Sequence, residues 1–536
     1  MSRAYVYDVG GLTMGEKEIL EDTTRTTGRD ALKKNVQAAI ALSGAIRSTL
    51  GPKGLDKLLI DDDGRTLVTN DGVTVLETAK VEHPVAKMVI GASSLQDKIA
   101  KDGTTSTVIL CSEMLRNAWE LVVQGIHPAV IGRGFRMAEQ KVIEEIEQLS
   151  LNGNKELFKK AVMSALSGKG HDSLKEIVSE LSLNAVEIVS DKDEKIDRSK
   201  IKIISQTGSS IKESEVIQGL VLAKKRIASS MPKNIKNGSI MLVDGGIERR
   251  SFSSDMKLNV TTPGVLESFR AKEREMLTNQ IDKLKELGID VIACKEGIDD
   301  SVKSELAKLG IQAFRRVAKS DLDLLSKSCN ATIVHDILSA TKENIGMFLS
   351  SSNKTLGGLE HWVVDAVGSG ATIIIRGSTV DVVGEVERCF DDSLGVVCQM
   401  YEDDRLLPGG GATYVALARL LRRYAETIPD REQLAIEAYG DALEVIVRVL
   451  SENGGMDPIG SLLSVVSKQT SENSNRFGIN LYTGEVEDMV DSGVIEPLGI
   501  VRQAVIGATE AAISILRIDD VLWAKQDIAI PELPGN

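Results

Sequence analysis

Apolar positions at helical spacing organise the chain. Leu32, Val36, Ala39, Ile40, Ile46 and Leu50 form one stripe and predict a helix over about 29–49, ended by Gly51-Pro52. The polar, Thr- and Gly-rich residues before it, 1–27, read as a flexible arm. A short hairpin follows, LLI and RTLVT around an Asp63-Gly64 turn, and then a short helix, VTVLETA. His83-Pro84 and His127-Pro128 each put proline at a first helical position, so 84–150 reads as three helices punctuated at Asp102-Gly103 and Gly125. From about 155 the texture changes. Residues 155–218 mix short helices with a polar charge run at 190–200, read as a solvated loop. From about 219 to 369 the strand candidates SIMLVD, VIAC, AFRRV and ATIVHD alternate with helices near 264–287, 300–309 and 320–327, a small α/β module. Leu266, Phe269, Met276, Leu277, Ile281, Leu284 and Leu287 stripe the longest of these helices, which is otherwise highly charged. The strand ATIIIRG then leads to the helix VDVVGEVERCFDDSLGVVCQM. Pro408-Gly409-Gly410-Gly411 opens a further helix, and 412–536 is mostly helical with a late strand pair near 478–490. The helical texture of 29–150 thus returns at the end, as though one domain were interrupted by a long insertion.

Composition narrows the function classes. At 536 residues, 42% hydrophobic and 26% charged, the chain has the material of a globular protein of about three or four domains. A formal charge of −14 argues against a nucleic-acid surface, which needs a basic field, and 3% aromatics leaves little for base stacking. No apolar run is long enough to span a bilayer, and the first residues lack the apolar segment of a signal peptide, so no membrane partner and a cytoplasmic location are expected. Five dispersed cysteines without Cys-x-x-Cys spacing read as reduced thiols, and five dispersed histidines make a zinc site an unlikely reading.

Candidate chemistry centres on residues 101–107, Lys-Asp-Gly-Thr-Thr-Ser-Thr, which run into the helix VILCSEMLRNAWELVVQG. Gly103 tolerates a backbone conformation that a side chain forbids. The residues after it expose N–H groups that no earlier helical turn satisfies, at an end made attractive to anions by the helix dipole. The Thr and Ser hydroxyls add donors, and Asp102 is an oxygen ligand where a phosphate would bring magnesium. Two readings stay open on these residues alone: a nucleotide-phosphate site, or an Asp or Thr cap on an ordinary buried helix. There is no Gly-x-x-x-x-Gly-Lys-Ser/Thr loop and no Gly-x-Gly-x-x-Gly after a strand.

The motif does not stand alone. Leu50-Gly-Pro-Lys-Gly54, Asn70-Asp-Gly72, Lys101-Asp-Gly-Thr-Thr-Ser106, Ser167-Gly-Lys-Gly170, Asp391-Asp392, Pro408-Gly-Gly-Gly-Ala412 and Gly493-Val-Ile-Glu-Pro497 occur in order along nearly the whole chain. Together with Val81-Glu-His-Pro-Val-Ala-Lys-Met88, Lys295-Glu-Gly-Ile-Asp-Asp300 and Ala511-Ala-Ile-Ser-Ile-Leu-Arg-Ile-Asp-Asp520, this set closely resembles the group II chaperonins, the thermosome and the eukaryotic cytosolic chaperonin. The resemblance implies a multidomain fold. A mostly α-helical equatorial domain would be split between 1–155 and 406–536. An α+β intermediate domain would be split between 156–218 and 370–405. An α/β apical domain would cover 219–369, with the 264–287 helix as a helical lid protrusion. It implies an ATPase that binds unfolded polypeptide and encloses it in a stacked double ring of like or unlike subunits.

The same resemblance assigns roles. Gly51 and Pro52, with Leu50, would turn against the nucleotide, and Asp102 would be the magnesium ligand. Gly103, Thr104, Thr105 and Ser106, with Gly72 nearby, would serve the phosphates. Asp71 and Asp392 would position and activate the attacking water, a role for carboxylates in phosphoryl transfer. Gly410 and Gly411 would let the backbone approach the ribose, Glu496 would bind it, and Lys169 would sense the γ-phosphate. Asp391 reads as a helix-surface acid. Three positions depart from the family pattern: Lys101 where glycine is usual, Tyr414 where an acid is usual and which is expected to face a neighbour, and Val501 where a nucleotide-contacting lysine is common, with Arg502 next to it. These departures keep a second reading, a hydrolysis-impaired structural or substrate-binding subunit of a hetero-oligomeric ring. A stand-alone kinase or ligase would need an acceptor pocket that no motif supplies.

Overall fold

The computed structural model describes residues 23–60, 64, 66–79, 81–168, 171–190, 196–208, 210–248, 263–356, 358–366 and 370–524. The chain divides into two compact units, residues 1–152 with 405–536, and residues 153–404.

The first unit is helical because its longest apolar stripes all need a partner. Helix Thr104–Val123 is buried over most of its length, with Val108, Ile109, Leu110, Cys111, Met114, Leu115 and Ala118 enclosed and only the side of Arg116, Asn117 and Glu120 left polar, so it lies largely inside the unit. Helices Gly28–Ile46, Pro84–Ala100, Glu432–Leu443 and Leu498–Leu516 pack against it. One continuous core therefore draws on both ends of the chain, with Val36, Met114, Phe135, Leu417, Tyr439 and Val505 among its members. Leu498–Leu516 is long and apolar enough to cross a membrane by length and composition, but Val501, Val505, Ala508 and Ala512 are buried in this core. Strand Arg405–Pro408 lies between Leu151–Asn152 and Ile495–Pro497, both antiparallel to it, and sets Leu407 opposite Glu496. Hairpins Lys57–Ile60/Thr66–Thr69 and Phe477–Asn480/Glu485–Asp488 complete the unit, the first leaving Leu58, Ile60 and Val68 exposed.

Residues 23–27 correct the expectation of a flexible arm. They form a strand antiparallel to Asp520–Ala524, with Thr23 opposite Ala524 and Thr27 opposite Asp520. A Thr-rich polar run carries no apolar alternation, so its pairing depends on a partner nearly 500 residues away. The rest of that arm, 1–22, lies outside the described residues.

Among the described residues the second unit holds two sheets. In the smaller, Ala371–Gly377 is the central strand, parallel to Ile201–Thr207 and antiparallel to Glu215–Gln218. The larger runs in the order Gln312–Phe314, Val291–Cys294, Asn234–Val243, Gly346–Leu356, Leu359–Ala366, Leu220–Leu222, with Ile333–Val334 also pairing Asn234–Val243. Alternation works on both faces of that sheet. Met241, Val243, Ile292 and Cys294 join one cluster, and Ile240, Leu242, Val291 and Ala293 the other. Trp362 stacks on Phe314 at 3.8 Å in the second cluster and donates its Nε1 hydrogen to Ser351 Oγ at 2.8 Å.

Several strand expectations change. The regular part of AFRRV is Gln312–Phe314, that of ATIVHD is Ile333–Val334, and the Gly346–Leu356/Leu359–Ala366 pair, too polar at its serines to stand out, is an addition. The long helix spans Pro263–Leu287; Leu277 and Leu284 are buried, whereas Met276 is exposed and off the stripe. Side chains of Leu266 and Phe269 lie outside the described residues.

Candidate functional site

Helix Pro84–Ala100 ends at Lys101, whose backbone is left-handed (φ 58°), and whose N–H closes on Asp97 O at 3.1 Å. The chain then reverses through Asp102 and Gly103 into helix Thr104–Val123. Gly103 is the N-cap residue, and no side chain caps the helix. The Asp102 carboxylate instead accepts from the Gly103 N–H at 2.7 Å. The start of this 20-residue helix thus carries no side-chain cap at Gly103, as the phosphate-site reading requires. Gln96, 1% exposed, fixes this turn by donating Nε2 hydrogens to Asp102 O at 2.8 Å and to Ile500 O at 3.2 Å.

Asp71 caps the neighbouring helix, Gly72–Thr78. Its Oδ2 accepts from Thr74 N at 2.9 Å and from Thr74 Oγ1 at 2.6 Å. Gly72 abuts Thr105: a Cβ there would come within 2.5 Å of Thr105 Oγ1. Gly51 is left-handed (φ 82°), and a Cβ there would stand 2.5 Å from Leu450 Cδ2. Gly411 is the uncapped N-cap of helix Ala412–Ala425, and a Cβ there would overlap Val447. The Gly410 carbonyl is held by the Ile479 N–H at 3.0 Å. Glu496 lies in strand Ile495–Pro497, with its Oε1 3.2 Å from where a Gly409 Cβ would be.

The acids meet. Burial and then the charge of Asp102 push the Glu496 carboxyl up to about 7. Burial, followed by the charges of Glu496 and Asp102, holds the Tyr414 phenol well above its usual range. The residues carried to one place in the first unit are thus Asp102, Glu496 and Tyr414, with Gly409 beside Glu496. The Asp102 carboxylate is a hard oxygen donor of the kind a magnesium ion takes, and the N–H turn beside it suits a phosphate, so the residues fit Mg-ATP.

The family model of the TCP-1/cpn60 chaperonins matches residues 42–526. The chain belongs to the TCP-1/cpn60 chaperonin family. It is 41% identical over 511 residues to a thermosome subunit of Methanothermococcus thermolithotrophicus, covering 94% of both chains. It is 40% identical to thermosome subunit alpha of Halobacterium salinarum, over 95% of this chain and 92% of that one, and 40% identical to thermosome subunit beta of Thermoplasma acidophilum, over 94% of both. Within the family the chain is a group II chaperonin.

In this chaperonin Tyr414 does not face a neighbour, as its departure from the family pattern led one to expect. It is 4% exposed, packed in the core of the first unit beside the acid pair. Val501 is also buried, and Arg502 reaches Glu147 at 3.8 Å. Asp391 is more than a surface acid: the Arg198 guanidinium pairs with its carboxylate and donates to its carbonyl at 3.1 Å. Asp392 follows it in helix Val380–Glu402 of the second unit. Lys169 lies outside the described residues. Gln96 is the residue that motif reading missed. It sits on the buried stripe of its helix with Val85, Val89, Ser93 and Ala100, and a polar amide on an apolar stripe is the signal that finds it.

Two outcomes follow for the chaperonin. Lys101 pays left-handed strain on an L-residue, although its Nζ reaches Asp97 Oδ2 at 3.2 Å. Lys101→Gly is expected to raise the thermal midpoint of the purified protein, by relieving about 1 kcal/mol; an unchanged or lower midpoint contradicts the strain. For Glu496, the folded state keeps a proton that the unfolded chain has already lost between the ordinary carboxylate range and about 7. Stability therefore falls as pH rises through that window. Without magnesium or nucleotide, the wild-type midpoint should drop relative to Glu496→Gln between about pH 5 and pH 8, and parallel curves count against the acid pair.

Proposed function

We propose that this chaperonin is an ATP-driven ring subunit that binds unfolded polypeptide and encloses it for folding, acting in the cytoplasm. The carrying observation is the uncapped helix start at Gly103 with the Asp102 carboxylate set against Glu496, in a chain similar to thermosome subunits over 94% of its length. The division of labour proposed is an equatorial domain (1–155 and 406–536), an intermediate domain (156–218 and 370–405) and an apical domain (219–369). Its support is the single interruption of the first unit by the second, and the two separate sheets within the second. The exposed Leu58, Ile60 and Val68 of the Lys57–Ile60/Thr66–Thr69 hairpin favour burial against another ring subunit, and helix Pro263–Leu287 is the proposed lid.

In this reading Leu50, Gly51 and Pro52 seat the nucleotide, with Gly72 beside the phosphates. Gly103, Thr104, Thr105 and Ser106 offer backbone and hydroxyl hydrogens to phosphate oxygens, Gly410 and Gly411 bring backbone to the ribose, and Glu496 accepts from it. Magnesium, held by Asp102, supplies charge neutralisation on the phosphates. Asp71 is oriented by Thr74, which occupies Oδ2, and its Oδ1 accepts a hydrogen from the attacking water. Water oxygen bonds to the γ-phosphorus, the bond to the ADP oxygen breaks, and the water proton passes to carboxylate, the task shared by Asp71 and Asp392. Lys169 is assigned to sensing the γ-phosphate.

One observation favours a second reading, a ring subunit that holds its place without efficient hydrolysis: the Tyr414 phenol lies buried beside Asp102 and Glu496. Single-turnover hydrolysis by purified rings separates the two. Asp392→Ala should still bind Mg-ATP yet hydrolyse it at least about a hundredfold more slowly than wild type. A variant that hydrolyses Mg-ATP as fast as an active wild type rejects the catalytic assignment, and wild-type rings that bind Mg-ATP without measurable hydrolysis select the second reading.

A further inference from the structure

The two glycine turns proposed to seat the nucleotide come from opposite ends of the chain, yet both rest on one short helix, Val445–Asn453. Val447 fills the space where Gly411 has no Cβ, and Leu450 the space where Gly51 has none. Asn453, one further step of three along the same helix, donates Nδ2 hydrogens to Arg47 O at 3.0 Å and Leu50 O at 2.9 Å. Glu452 adds an exposed contact to Arg47 Nε at 3.3 Å. The steps 447, 450 and 453 keep these side chains on one broad face. The backbone at 47–50 leaves a helix through a short 3-10 turn, Arg47–Thr49, in which Arg47 O accepts the Leu50 N–H at 3.4 Å and still has a second lone pair to offer. An asparagine amide has two hydrogens and so satisfies two carbonyls at once, which fixes the spacing of Arg47 and Leu50 as well as their position.

We propose that Asn453 is a positioning residue of the nucleotide site, holding residues 50–52 in register with the Gly411 turn through helix Val445–Asn453. The inference rests on the proposed nucleotide site. It assigns Asn453 no contact with nucleotide. Its effect is to pre-order one wall of the pocket before ATP arrives, which acts equally on ground and transition states. The Asp102 corner is tied independently, through Gln96 to Ile500, so Asn453 should leave the magnesium requirement alone.

The test is steady-state ATPase and nucleotide binding by assembled rings of wild type, Asn453→Ala and the near-isosteric Asn453→Asp, whose carboxylate repels both carbonyls. Asn453→Ala should raise KM for ATP, and Kd for ADP, about tenfold, with kcat changed by less than about twofold and half-saturation by magnesium unchanged. Asn453→Asp should weaken binding further, and serves alone if the alanine variant does not assemble. A merely structural asparagine would lower the thermal midpoint without moving KM. Wild-type rings that bind nucleotide while both variants keep wild-type KM and Kd overturn this inference and leave the site reading standing. Wild-type rings that bind no nucleotide overturn the site reading, and this inference with it.

Discussion

Burial of helix Thr104–Val123 along almost its whole surface is the constraint on which the first unit depends. A helix with so broad an apolar face has to be enclosed on several sides, and enclosing it draws on helices from both ends of the chain. That requirement brings Leu498–Leu516 and Glu432–Leu443 against it, and with the strand that precedes Leu498–Leu516 brings Glu496 within reach of the Asp102 charge. The start of the same helix is the one part that packing does not satisfy. With glycine at the N-cap and no side-chain cap there, its dipole favours negative charge beside Asp102, whose own charge is felt by Glu496. Core packing and the proposed phosphate corner are two consequences of one element.

The corner is costly in the absence of ligand. Two carboxylates oppose each other, an L-residue adopts left-handed backbone at Lys101, and the amide of Gln96 lies inside an apolar core. Each is the kind of local conflict that proteins retain where something binds. A cation with a polyphosphate relieves the charge repulsion directly. Tyr414 modifies the balance, because a neutral phenol beside the acids adds bulk and a donor without adding charge.

The sequence made the helices of the first unit legible through their stripes, and the proline-started helices at Pro84 and Pro128 begin at those residues. It also made the glycine motifs legible, since each carries a turn that a side chain would obstruct. Less visible were elements whose partners are remote. Residues 23–27 carry no alternation, and Gly346–Leu356 is interrupted by serines, one of which, Ser351, is buried by bonding to Trp362 and Gln312. Tyr414 was misplaced because the expectation rested on its departure from the family pattern, whereas its burial beside Glu496 and Asp102 shows only in the fold. Gln96 and Asn453 were missed because each works through backbone carbonyls, and no motif marks that role.

Electron cryomicroscopy of the purified protein in Mg-ATP, with a matched sample free of nucleotide, tests the central claim most directly. The account predicts rings in which nucleotide lies between Gly51 and Gly410, with magnesium at the Asp102 carboxylate and phosphate oxygens on the first turn after Gly103. Rings that bind Mg-ATP elsewhere, or whose Asp102 corner holds no metal when nucleotide is present, would contradict it.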